Sequence, residues 1–415
     1  MKRIAVIGSG IAGLSAAYYL SRVHEVHVFE RDTRIGGHTH TVMVDSANGP
    51  VSIDTGFIVH NERTYPRFCR LMAELGVETM PSDMSFAVTT PGGTFEYSSR
   101  GLGGFFAQRR NAFSPRHYQL LREIMRFNRE APDVLSDPAG DVMTLGQFLE
   151  RGRYARVFVD RYLVPMAGAI WSMAPDVMRE FPVLTLVQFM QHHGMLGLTT
   201  HPTWRVIRGG SQAYLAPLTA PFRDRVITGV TITSVQRSPE GVTISLHGGR
   251  DLHFDEVVFA CHGDQILPML AHPTAIERDV LGRFRTSRNE TCLHTDASQL
   301  PRRAAARASW NYHLGETGRV TVTYHMNRLQ ALTTREEYCV TLNADDSIDP
   351  AKVLRRLVYE HPLYTREAIR AQERWPEISG RQHTHFCGAY WFYGFHEDGV
   401  RSGIRVAEAL GATCE

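Results

Sequence analysis

The feature that most constrains the fold is a glycine-rich turn between a short apolar strand and a helix. Residues 3–7 (RIAVI) are apolar after Arg3 and largely β-branched, and the sequence GSGIAG follows at 8–13. GxGxxG spacing is formed there by Gly8, Gly10 and Gly13. Such glycines permit a tight turn, the approach of a pyrophosphate and close helix packing. Since the helix N-terminus also offers free N–H groups to a phosphate, the pattern predicts a nucleotide site.

A second strand with an acidic residue at its end completes the unit. Residues 25–29 (EVHVF) alternate valine with polar residues, and Glu30 follows. Glu30 comes about twenty residues after the glycines, where an acidic side chain can accept hydrogen bonds from both ribose hydroxyls of an adenosine. The order strand, turn, helix, strand and acid therefore predicts a bound dinucleotide, either NAD or FAD.

Composition indicates a soluble, folded protein with more than one lobe. A chain of 415 residues exceeds the usual size of a single hydrophobic core. The basic residues are scattered and the net charge is +2, so no nucleic acid partner is expected. Six cysteines without a CxxC pair are typical of reduced cytosolic thiols.

No apolar run approaches the roughly 20 residues of a membrane span, which predicts a cytoplasmic protein. Peripheral contact with the inner face of a membrane stays open.

Two further segments identify the cofactor through a family resemblance. RDTRIGGHTHT contains the paired glycines Gly36 and Gly37, and IDTGFIVHN follows at 53–61. This succession resembles the flavoprotein amine oxidase and phytoene desaturase superfamily, in which the paired glycines pass near the diphosphate and ribityl chain of FAD. The resemblance implies FAD, with Arg34 as an additional partner of the diphosphate.

The C-terminal sequence is similar to the closing motif of the same superfamily. Glu397, Val400 and Gly403 match its E-x-x-V-x-x-G pattern, and residues 399–410 are typical of an amphipathic helix. A helix N-terminus aimed at the flavin would stabilise the negative charge of the reduced ring. Superfamily members often carry an acid after the glycine of the final strand; this chain has an alanine after Gly388, which predicts a backbone contact there.

The resemblance implies a set of cofactor-binding positions spread over the chain. They are Gly8, Gly10, Ile11, Ala12, Gly13, Glu30, Arg31, Arg34, Gly36, Gly37, His38, Thr39, Thr55, Gly56, Ile232, Gly388, Glu397, Asp398 and Val400. Ile232 matches the position whose backbone contacts adenine in the family. It lies in residues 226–263, where alternating apolar and polar residues broken at PEG and GG predict a β-meander that returns to the nucleotide sheet.

The predicted fold is α/β with an α+β second lobe, similar to the amine oxidases. Its Rossmann-type FAD-binding domain is assembled from discontinuous segments, and a helix and sheet domain binds the substrate. The FAD-binding domain takes residues 1–75, 205–265 and 381–415. The substrate-binding domain takes residues 76–204 and 266–380.

The second lobe combines predicted helices, an apolar segment and strands. Helices are predicted over 115–129 and 144–165. Strands are predicted over 308–313, 321–332 and 338–343, in a sheet that would form the floor of the active site. Residues 169–198 are rich in methionine, phenylalanine and leucine. Such a segment forms either ordinary core or an apolar substrate tunnel, which flexible thioethers line well.

Several segments of the second lobe are similar to one bacterial branch of the superfamily. They include LVPMAGAIWS, FMQHHGML, NETCLHTD, WNYH, HMNRLQAL and GAYWFYGFHEDG. Members of that branch are FAD-dependent oxidoreductases linked with cyclopropane or methyl-branched fatty acid metabolism. The resemblance implies a hydrophobic, fatty acyl substrate.

The flavin-linked residues of amine oxidases have no clear counterpart here. Those enzymes place a lysine near flavin N5, whereas Lys2 and Lys352 lie far from every flavin motif. Cys387 lies inside a predicted strand, so FAD is expected to be non-covalent. These observations favour a desaturase, dehydrogenase or double-bond isomerase acting on a lipid. A flavin amine oxidase and a flavin-binding protein without turnover are the alternatives.

Candidate catalytic residues come from two patterns. Aromatic residues that alternate along a predicted strand, and so share a face toward the flavin and substrate, are Trp391, Tyr393 and Phe395. Residues suited to proton handling or head-group contact are His193, His294 and Tyr312. For each of them, ordinary packing is the alternative. No metal is expected, because the histidine pairs have no carboxylate or cysteine partner at ligand spacing.

Overall fold

The computed structural model describes residues 1–47, 49–137, 140–171, 173–197, 202–315, 320–344 and 347–414. The apolar segment at 169–198 includes Ser172 and Leu198, which lie outside the described residues.

The strands fall in several groups along the chain. They are β1 Arg3–Ile7, β2 Glu25–Phe29, β3 Thr41–Ser46, β4 Gly49–Asp54, β5 Val59–His60, β6 Thr79–Pro81, β7 Phe86–Thr89, β8 Glu96–Ser98, β9 Arg205–Ile207, β10 Val226–Ile227, β11 Ile232–Ser238, β12 Gly241–Leu246, β13 Arg250–Phe254, β14 Glu256–Phe259, β15 Thr286–His294, β16 Trp310–Leu314, β17 Val320–His325, β18 Cys339–Leu342, β19 Val353–Pro362 and β20 Thr384–Phe386.

The α-helices are concentrated between β8 and β9. In chain order they are α1 Ile11–Leu20, α2 Pro66–Glu74, α3 Gly101–Phe105, α4 Pro115–Glu130, α5 Leu145–Arg151, α6 Arg156–Phe158, α7 Val164–Trp171, α8 Pro175–Arg179, α9 Val183–His192, α10 Leu215–Thr219, α11 Ala275–Leu281, α12 Met326–Leu329, α13 Arg366–Glu373, α14 Trp375–Ile378 and α15 His396–Ala409. Val159–Leu163 is π-helical. Short 3-10 helices occupy Pro91–Gly93, Arg109–Phe113, Ala131–Ser136, Gly140–Val142, Ser211–Tyr214, Ala220–Arg225, Gly263–Gln265, Ala297–Gln299, Ala304–Ala306, Pro350–Lys352 and Ala389–Trp391.

A five-stranded parallel sheet carries the glycine-rich turn. Its strand order is β10-β2-β1-β14-β20, with β1 at the centre. The central strands are apolar and buried, as a sheet covered on both faces requires. On one face α1 and α15 pack against the sheet. The sheet joins the start, the middle and the end of the chain, which confirms the Rossmann-type α/β prediction.

The meander predicted over 226–263 is also confirmed. Strands β11, β12 and β13 form an antiparallel sheet, with turns at the PEG and GG sequences. The chain then enters β14 of the parallel sheet. This meander covers the face of the parallel sheet opposite α1 and α15.

A second sheet of seven strands lies beneath the helical part of the chain. Its order is β19-β15-β18-β17-β16-β7-β8. The predicted strands at 308–313 and 338–343 are confirmed, but the strand predicted over 321–332 ends at His325. There the chain turns into α12, because Met326 and Leu329 are buried together in a small core. Among the described residues, no helix has the length and apolar character to cross a bilayer.

The predicted helix at 115–129 is confirmed as α4, whereas the one at 144–165 is interrupted. Helix α5 ends at Arg151, and Arg153 has a positive φ of 51° that a helix cannot contain. A new helical segment starts at Arg156 and continues through the π-helical turn into α7. These helices share one core with α4 and α9.

Candidate functional site

The three glycines of the turn have different surroundings. Gly8 has a φ of 108°, and a Cβ there would lie 2.9 Å from the backbone of Ala260. A Cβ at Gly13 would overlap the carbonyl oxygen of Gly8. A Cβ at Gly10, in contrast, would meet no atom of the described residues within 4 Å. Gly8 and Gly13 are therefore needed for the fold of the turn, while Gly10 leaves open space at the N-terminus of α1.

Within the described part of the chain, no side chain caps the N-terminus of α1. Its first N–H groups lack intrahelical partners, as at every helix start, and they carry partial positive charge. Ile11 and Ala12, which begin α1, are buried against α15. An uncapped helix start beside open space is the arrangement that binds an anionic diphosphate.

Glu30 lies beside the turn, at the carboxyl end of β2. Its Oε2 accepts hydrogen bonds from the backbone N and the Oγ of Ser9, at 2.9 and 2.6 Å. Its Oε1 accepts from the N–H of Asp32 at 2.9 Å. Three of the roughly four acceptor positions of a carboxylate are thus used. Glu30 is fixed next to the glycines, as the sequence predicts for a ribose-binding acid.

The segment predicted to contact adenine runs alongside Glu30. The N–H of Glu30 donates to the carbonyl of Ile227, and the carbonyl of Glu30 accepts from the N–H of Val230. Ile232 follows at the start of β11, and Arg31 is exposed on the same edge. These positions are consistent with an adenine side of the site.

The paired glycines form a loop that lies directly on the turn. The N–H of Gly36 donates to the Ser9 carbonyl at 2.9 Å, and a Cβ at Gly37 would lie 3.1 Å from the Cα of Gly10. Arg34 donates to the carbonyls of Gly37 and Thr39, at 2.7 and 3.3 Å. The Arg34 guanidinium therefore stabilises the conformation of the loop. Its contact with the FAD diphosphate stays a prediction.

The segment DTG, residues 54–56, packs against this loop. A Cβ at Gly56 would overlap the carbonyl of His38, so the two segments touch through their backbones. The hydroxyl of Thr55 donates to the carbonyl of His40 at 3.0 Å and lies 2.7 Å from the hydroxyl of Tyr359 on β19. The seven-stranded sheet thereby reaches the edge of the nucleotide site.

A histidine next to the paired glycines has an unused nitrogen. The Nε2 of His38 is buried and has no partner among the described residues. Its ring lies 5.3 Å from that of His361 and 6.0 Å from that of His262. Burial, with smaller contributions from the neighbouring histidines, lowers the pKa of His38 well below its usual range, so the ring is neutral. Its free nitrogen, the open space at Gly10 and the uncapped start of α1 all fit the diphosphate of a dinucleotide.

Helix α15 brings the end of the chain to the same place. A Cβ at Gly399 would lie 2.6 Å from the side chain of Ile11, and one at Gly403 would lie 2.6 Å from the Ala12 carbonyl. Val400, between them, is fully buried in the same core. The N–H of Gly388, after β20, donates to the Ser402 hydroxyl at 2.9 Å. The glycine turn and the closing motif, nearly the length of the chain apart, are therefore in contact.

The two acids at the start of α15 are engaged by protein groups. The carboxylate of Glu397 accepts from the N–H of Phe68 at 2.9 Å and pairs with Arg67 at 3.3 Å, both at the start of α2. Asp398 accepts from the N–H of Phe395 at 2.9 Å. Burial raises the pKa of Asp398 to about 7. Direct contacts of these side chains with FAD stay a prediction.

Sequence reasoning missed the first residue of α15. The ring of His396 stacks on Phe57 with centroids 3.5 Å apart, and its Nε2 lies 3.0 Å from the Thr39 hydroxyl and 3.3 Å from that of Tyr214. Burial lowers the pKa of His396 to about 3, so the imidazole is neutral. Its position next to Glu397, at the start of the helix expected under the flavin, was a signal that could have identified it.

A cluster of packed aromatic rings, named the aromatic chamber here, lies beside the start of α15. The ring of Phe189 on α9 lies 3.8 Å from His193, 5.1 Å from Phe395 and 6.1 Å from Tyr393. Trp171, at the end of α7, lies 4.8 Å from Phe189. Three of the predicted catalytic residues, His193, Tyr393 and Phe395, are thus brought together. The chamber also includes Trp171 and Phe189, which the sequence indicated only as part of an apolar segment.

Trp391 does not share this chamber, and the strand predicted through it is wrong. Residues Ala389–Trp391 form a 3-10 helix between two glycines with positive φ, Gly388 at 154° and Gly394 at 95°. Because this backbone is not extended, Trp391, Tyr393 and Phe395 do not share one face as they would on a strand. Trp391 packs instead against Phe284, in the core on the other side of the parallel sheet.

His294 and Tyr312 also differ from the predicted arrangement. His294 lies in the seven-stranded sheet, where its Nε2 is 2.7 Å from the Thr341 hydroxyl and its Nδ1 accepts from the N–H of Asp296. Both ring nitrogens are therefore used in the sheet, away from the chamber. Tyr312 is buried in the helical core, and its hydroxyl lacks a partner among the described residues.

Comparison with known families identifies the family of this chain. The family model described as "Flavin containing amine oxidoreductase" matches residues 11–286, about two thirds of the chain. The chain belongs to this family. The prediction of a flavin amine oxidase and desaturase type protein is confirmed, and the cofactor is FAD. The protein is an FAD-dependent oxidoreductase.

Curated relatives cover only part of the chain. Protoporphyrinogen oxidase of Schizosaccharomyces pombe is 26% identical over 192 residues, which are 41% of this chain and 36% of that protein. Protoporphyrinogen oxidase 2 of Arabidopsis thaliana, chloroplastic/mitochondrial, is 56% identical over 43 residues, 10% of this chain and 8% of its own length. The matches thus span about a third of the first relative and less than a tenth of the second.

Solved structures share the fold over the whole chain. Putrescine oxidase bound to putrescine has a TM-score of 0.70 at 14% identity and covers 99% of this chain and 98% of its own. A fatty acid isomerase from P. acnes, described as CLA-producing, has a TM-score of 0.72 at 16% identity and covers 99% of both chains. At these identities the comparison shows a common fold for enzymes that act on different substrates.

Proposed function

We propose that this enzyme acts on the acyl chain of a hydrophobic lipid, by dehydrogenation, desaturation or double-bond isomerisation. FAD, when bound, supplies the hydride acceptor. The observation that carries the proposal is the aromatic chamber at the start of α15, formed by Trp171, Phe189, His193, Tyr393 and Phe395. The shared fold with a fatty acid isomerase supports this choice of substrate class.

The chamber side chains would bind the acyl chain and exclude water. Burial of apolar surface contributes about 25 cal/mol per Å², so apolar walls stabilise a bound hydrocarbon chain. His193 offers a polar group at the wall. Its Nδ1 donates to the Phe189 carbonyl at 2.9 Å, which leaves Nε2 as an acceptor. Burial lowers the pKa of His193 to about 4, so this acceptor is uncharged at neutral pH.

Charged groups of the chain give little support to amine oxidation. Lys2 pairs with Glu256 at 2.6 Å, at the amino ends of the parallel strands, and Lys352 pairs with Asp296 at 3.1 Å. Neither lysine is free to act at a flavin. Asp398, the buried acid near the chamber, has a pKa raised to about 7 by burial and is a weak counterion for an ammonium group.

Non-covalent binding of FAD belongs to the same proposal. Cys387 is fully buried in the core shared by α1 and α15, and its backbone N–H donates to the Phe259 carbonyl at 2.9 Å. Burial raises the pKa of its thiol above the usual range, so the reactive thiolate is disfavoured. Release of intact FAD on acid or heat denaturation tests this point.

Anaerobic reduction distinguishes the substrate classes. The holoenzyme is mixed with unsaturated, methyl-branched or cyclopropane fatty acyl phospholipids and free acids, and the visible flavin band is followed with mass analysis of the products. Bleaching, or an isomerised product without bleaching, supports the proposal. Bleaching by amines with peroxide formation would support an amine oxidase instead, and reduction by dithionite alone would indicate a flavin protein without turnover.

A pair of neighbouring variants links the chemistry to the chamber. Phe395→Ala removes a chamber wall, and we expect about a tenfold or larger loss of kcat/KM for the lipid. Phe392→Ala is the matched control, because this ring packs against Arg401 and Arg405, outside the chamber. Equal losses in both variants, at equal flavin content, would contradict the assignment of the chamber as the substrate site.

A further inference from the structure

The described surface carries an unusual combination of exposed apolar and basic side chains on the helical part of the chain. Four of the eleven large apolar side chains that are exposed lie between residues 102 and 125. They are Leu102 at 75%, Phe113 at 87%, Tyr118 at 50% and Met125 at 47% exposure. Single exposed apolar residues are common, but this segment is about 6% of the chain and contains both exposed aromatic residues of that set.

A slightly longer segment, residues 100–129, concentrates positive charge. Residues 100–129 contain seven arginines and one acidic residue, Glu123, a net charge of +6 in a chain whose total is +2. Glu123 is buried, and it faces Arg122 and Arg126. Among the described residues, no ion pair is formed by Arg109, Arg110 or Arg116. The expectation of scattered basic residues is therefore wrong for this segment, where the sequence itself groups them.

Contacts between three elements make the segment one continuous surface. The Nε2 of His117, in the first turn of α4, lies 2.8 Å from the carbonyl of Phe105 in α3. The hydroxyl of Tyr118 donates at 2.9 Å to the carbonyl of Ala112, in the adjacent 3-10 helix. Helix α3, this 3-10 helix and the start of α4 are therefore folded against each other.

Helix α4 extends the surface along one stripe. Exposed residues at spacings of four, three and four are Tyr118, Arg122, Met125 and Arg129. The opposite face buries Leu120, Ile124 and Phe127 in the helical core, the core that also contains the chamber residue Phe189. The stripe thus faces away from the core. The name basic apolar patch is used here for Leu102, Arg109, Arg110, Phe113, Arg116, Tyr118, Arg122, Met125 and Arg129.

We infer that the basic apolar patch docks the enzyme on an anionic phospholipid bilayer. Arginines attract the acidic head groups, each contributing favourably near the surface. Exposed leucine, methionine and aromatic side chains enter the boundary between head groups and acyl chains. Nucleic acid would account for the arginines, but the exposed Phe113 and Leu102 fit a lipid interface better. This inference goes beyond the proposed reaction and does not depend on it.

Co-sedimentation with vesicles tests the inference on the full-length holoenzyme. The wild-type protein is expected to bind vesicles of phosphatidylcholine mixed with phosphatidylglycerol more tightly than vesicles of phosphatidylcholine alone. The triple variant Arg109→Gln, Arg110→Gln, Arg116→Gln should lose about a hundredfold in affinity for the anionic vesicles. The variant Phe113→Ser should lose about tenfold, and the loss should persist at high salt because it is apolar.

A matched variant separates the patch from net charge. Arg223→Gln, Arg250→Gln, Arg278→Gln removes the same charge from exposed positions outside the helical part, and its affinity should stay within a few-fold of wild type. Flavin absorbance and circular dichroism confirm that each variant is folded. The inference is overturned if the wild type binds neither vesicle, if both triple variants lose equally, or if the patch binds RNA but no vesicle. Turnover of detergent-dispersed substrate is measured in parallel, so a failure of docking is distinguishable from a failure of the proposed reaction.

Discussion

At the scale of single residues, the glycine turn separates structural from ligand-binding positions. Gly8 and Gly13 are crowded by backbone atoms of the protein itself, whereas Gly10 adjoins open space. The GxGxxG spacing predicted all three positions, because the geometry of this turn is local. Which glycine is essential for folding and which for binding follows from the neighbouring residues Ala260 and Gly37, which lie far along the chain or in the next loop.

Replacing Gly10 should remove the cofactor without unfolding the protein. In Gly10→Val the side chain occupies space that is free of protein atoms, so the apoprotein should keep its unfolding temperature. The same side chain blocks the approach of the diphosphate, so flavin retention should be lost. The ratio of flavin to protein absorbance after gel filtration measures the effect.

Gly103→Val is the matched control for this substitution. A Cβ at Gly103 also meets nothing within 4 Å, but the position lies on α3, far from the turn. It should keep both the fold and the flavin. Normal flavin content in Gly10→Val would contradict the assignment of the diphosphate site.

At the scale of secondary structure, the start of α15 organises three other segments. His396 contacts Phe57 and Thr39, and Glu397 holds the start of α2 through the N–H groups of Arg67 and Phe68. The closing motif was predicted from sequence, including the helix. The partners of its polar side chains were not, because they come from segments more than three hundred positions away.

Removing the Glu397 carboxylate should destabilise the fold through α2. Glu397→Ala leaves the N–H groups of Arg67 and Phe68 without an acceptor and takes away a favourable charge at a helix N-terminus. We expect a loss of about 1–3 kcal/mol in the free energy of unfolding of the apoprotein. Chemical denaturation followed by circular dichroism measures it.

Glu408→Ala is the control for that change, because Glu408 lies on the same helix and is exposed. Its effect should stay within about 0.5 kcal/mol. If Glu397→Ala instead lost FAD at unchanged apoprotein stability, its carboxylate would be a cofactor ligand rather than a helix cap.

At the scale of the whole molecule, buried histidines dominate the response to acid. Burial lowers the pKa to about 4 for His60, His193 and His361 and to about 3 for His396. These imidazoles stay neutral in the folded state, while the unfolded chain takes up protons below about pH 6.5. Acidification below that pH therefore favours the unfolded state.

Two buried acids act in the opposite direction. Burial raises the pKa of Asp54 to about 6 and that of Asp398 to about 7, above the 3.8 of a free aspartate. Below these values the folded state binds protons that the unfolded state does not, which adds stability as the pH falls. Each group changes the free energy by up to about 1.4 kcal/mol per pH unit, so the more numerous histidines prevail.

The unfolding temperature of the apoprotein should therefore fall between about pH 7 and about pH 5. In Asp398→Asn the opposing contribution of that acid is absent, so the fall should be steeper than in the wild type. Differential scanning calorimetry in buffers of matched ionic strength measures both. An unfolding temperature that rises on acidification would contradict the assignment of neutral buried histidines.

The division of the chain into an FAD-binding and a substrate-binding domain stays a prediction, although the elements within it are confirmed in large part. The parallel sheet, the meander and α4 were predicted because each depends on short-range periodicity. The strand predicted through Trp391 was wrong because its aromatic alternation is interrupted by two glycines of positive φ.

The sequence alone determined the turn, the acid at Glu30 and the closing helix, because their geometry is set by residues within a few positions of each other. Only the tertiary structure decided which side chains meet. His38 lies beside His361, and Phe189 lies beside Phe395. Such contacts depend on how distant segments pack around common cores, and no local pattern encodes that packing.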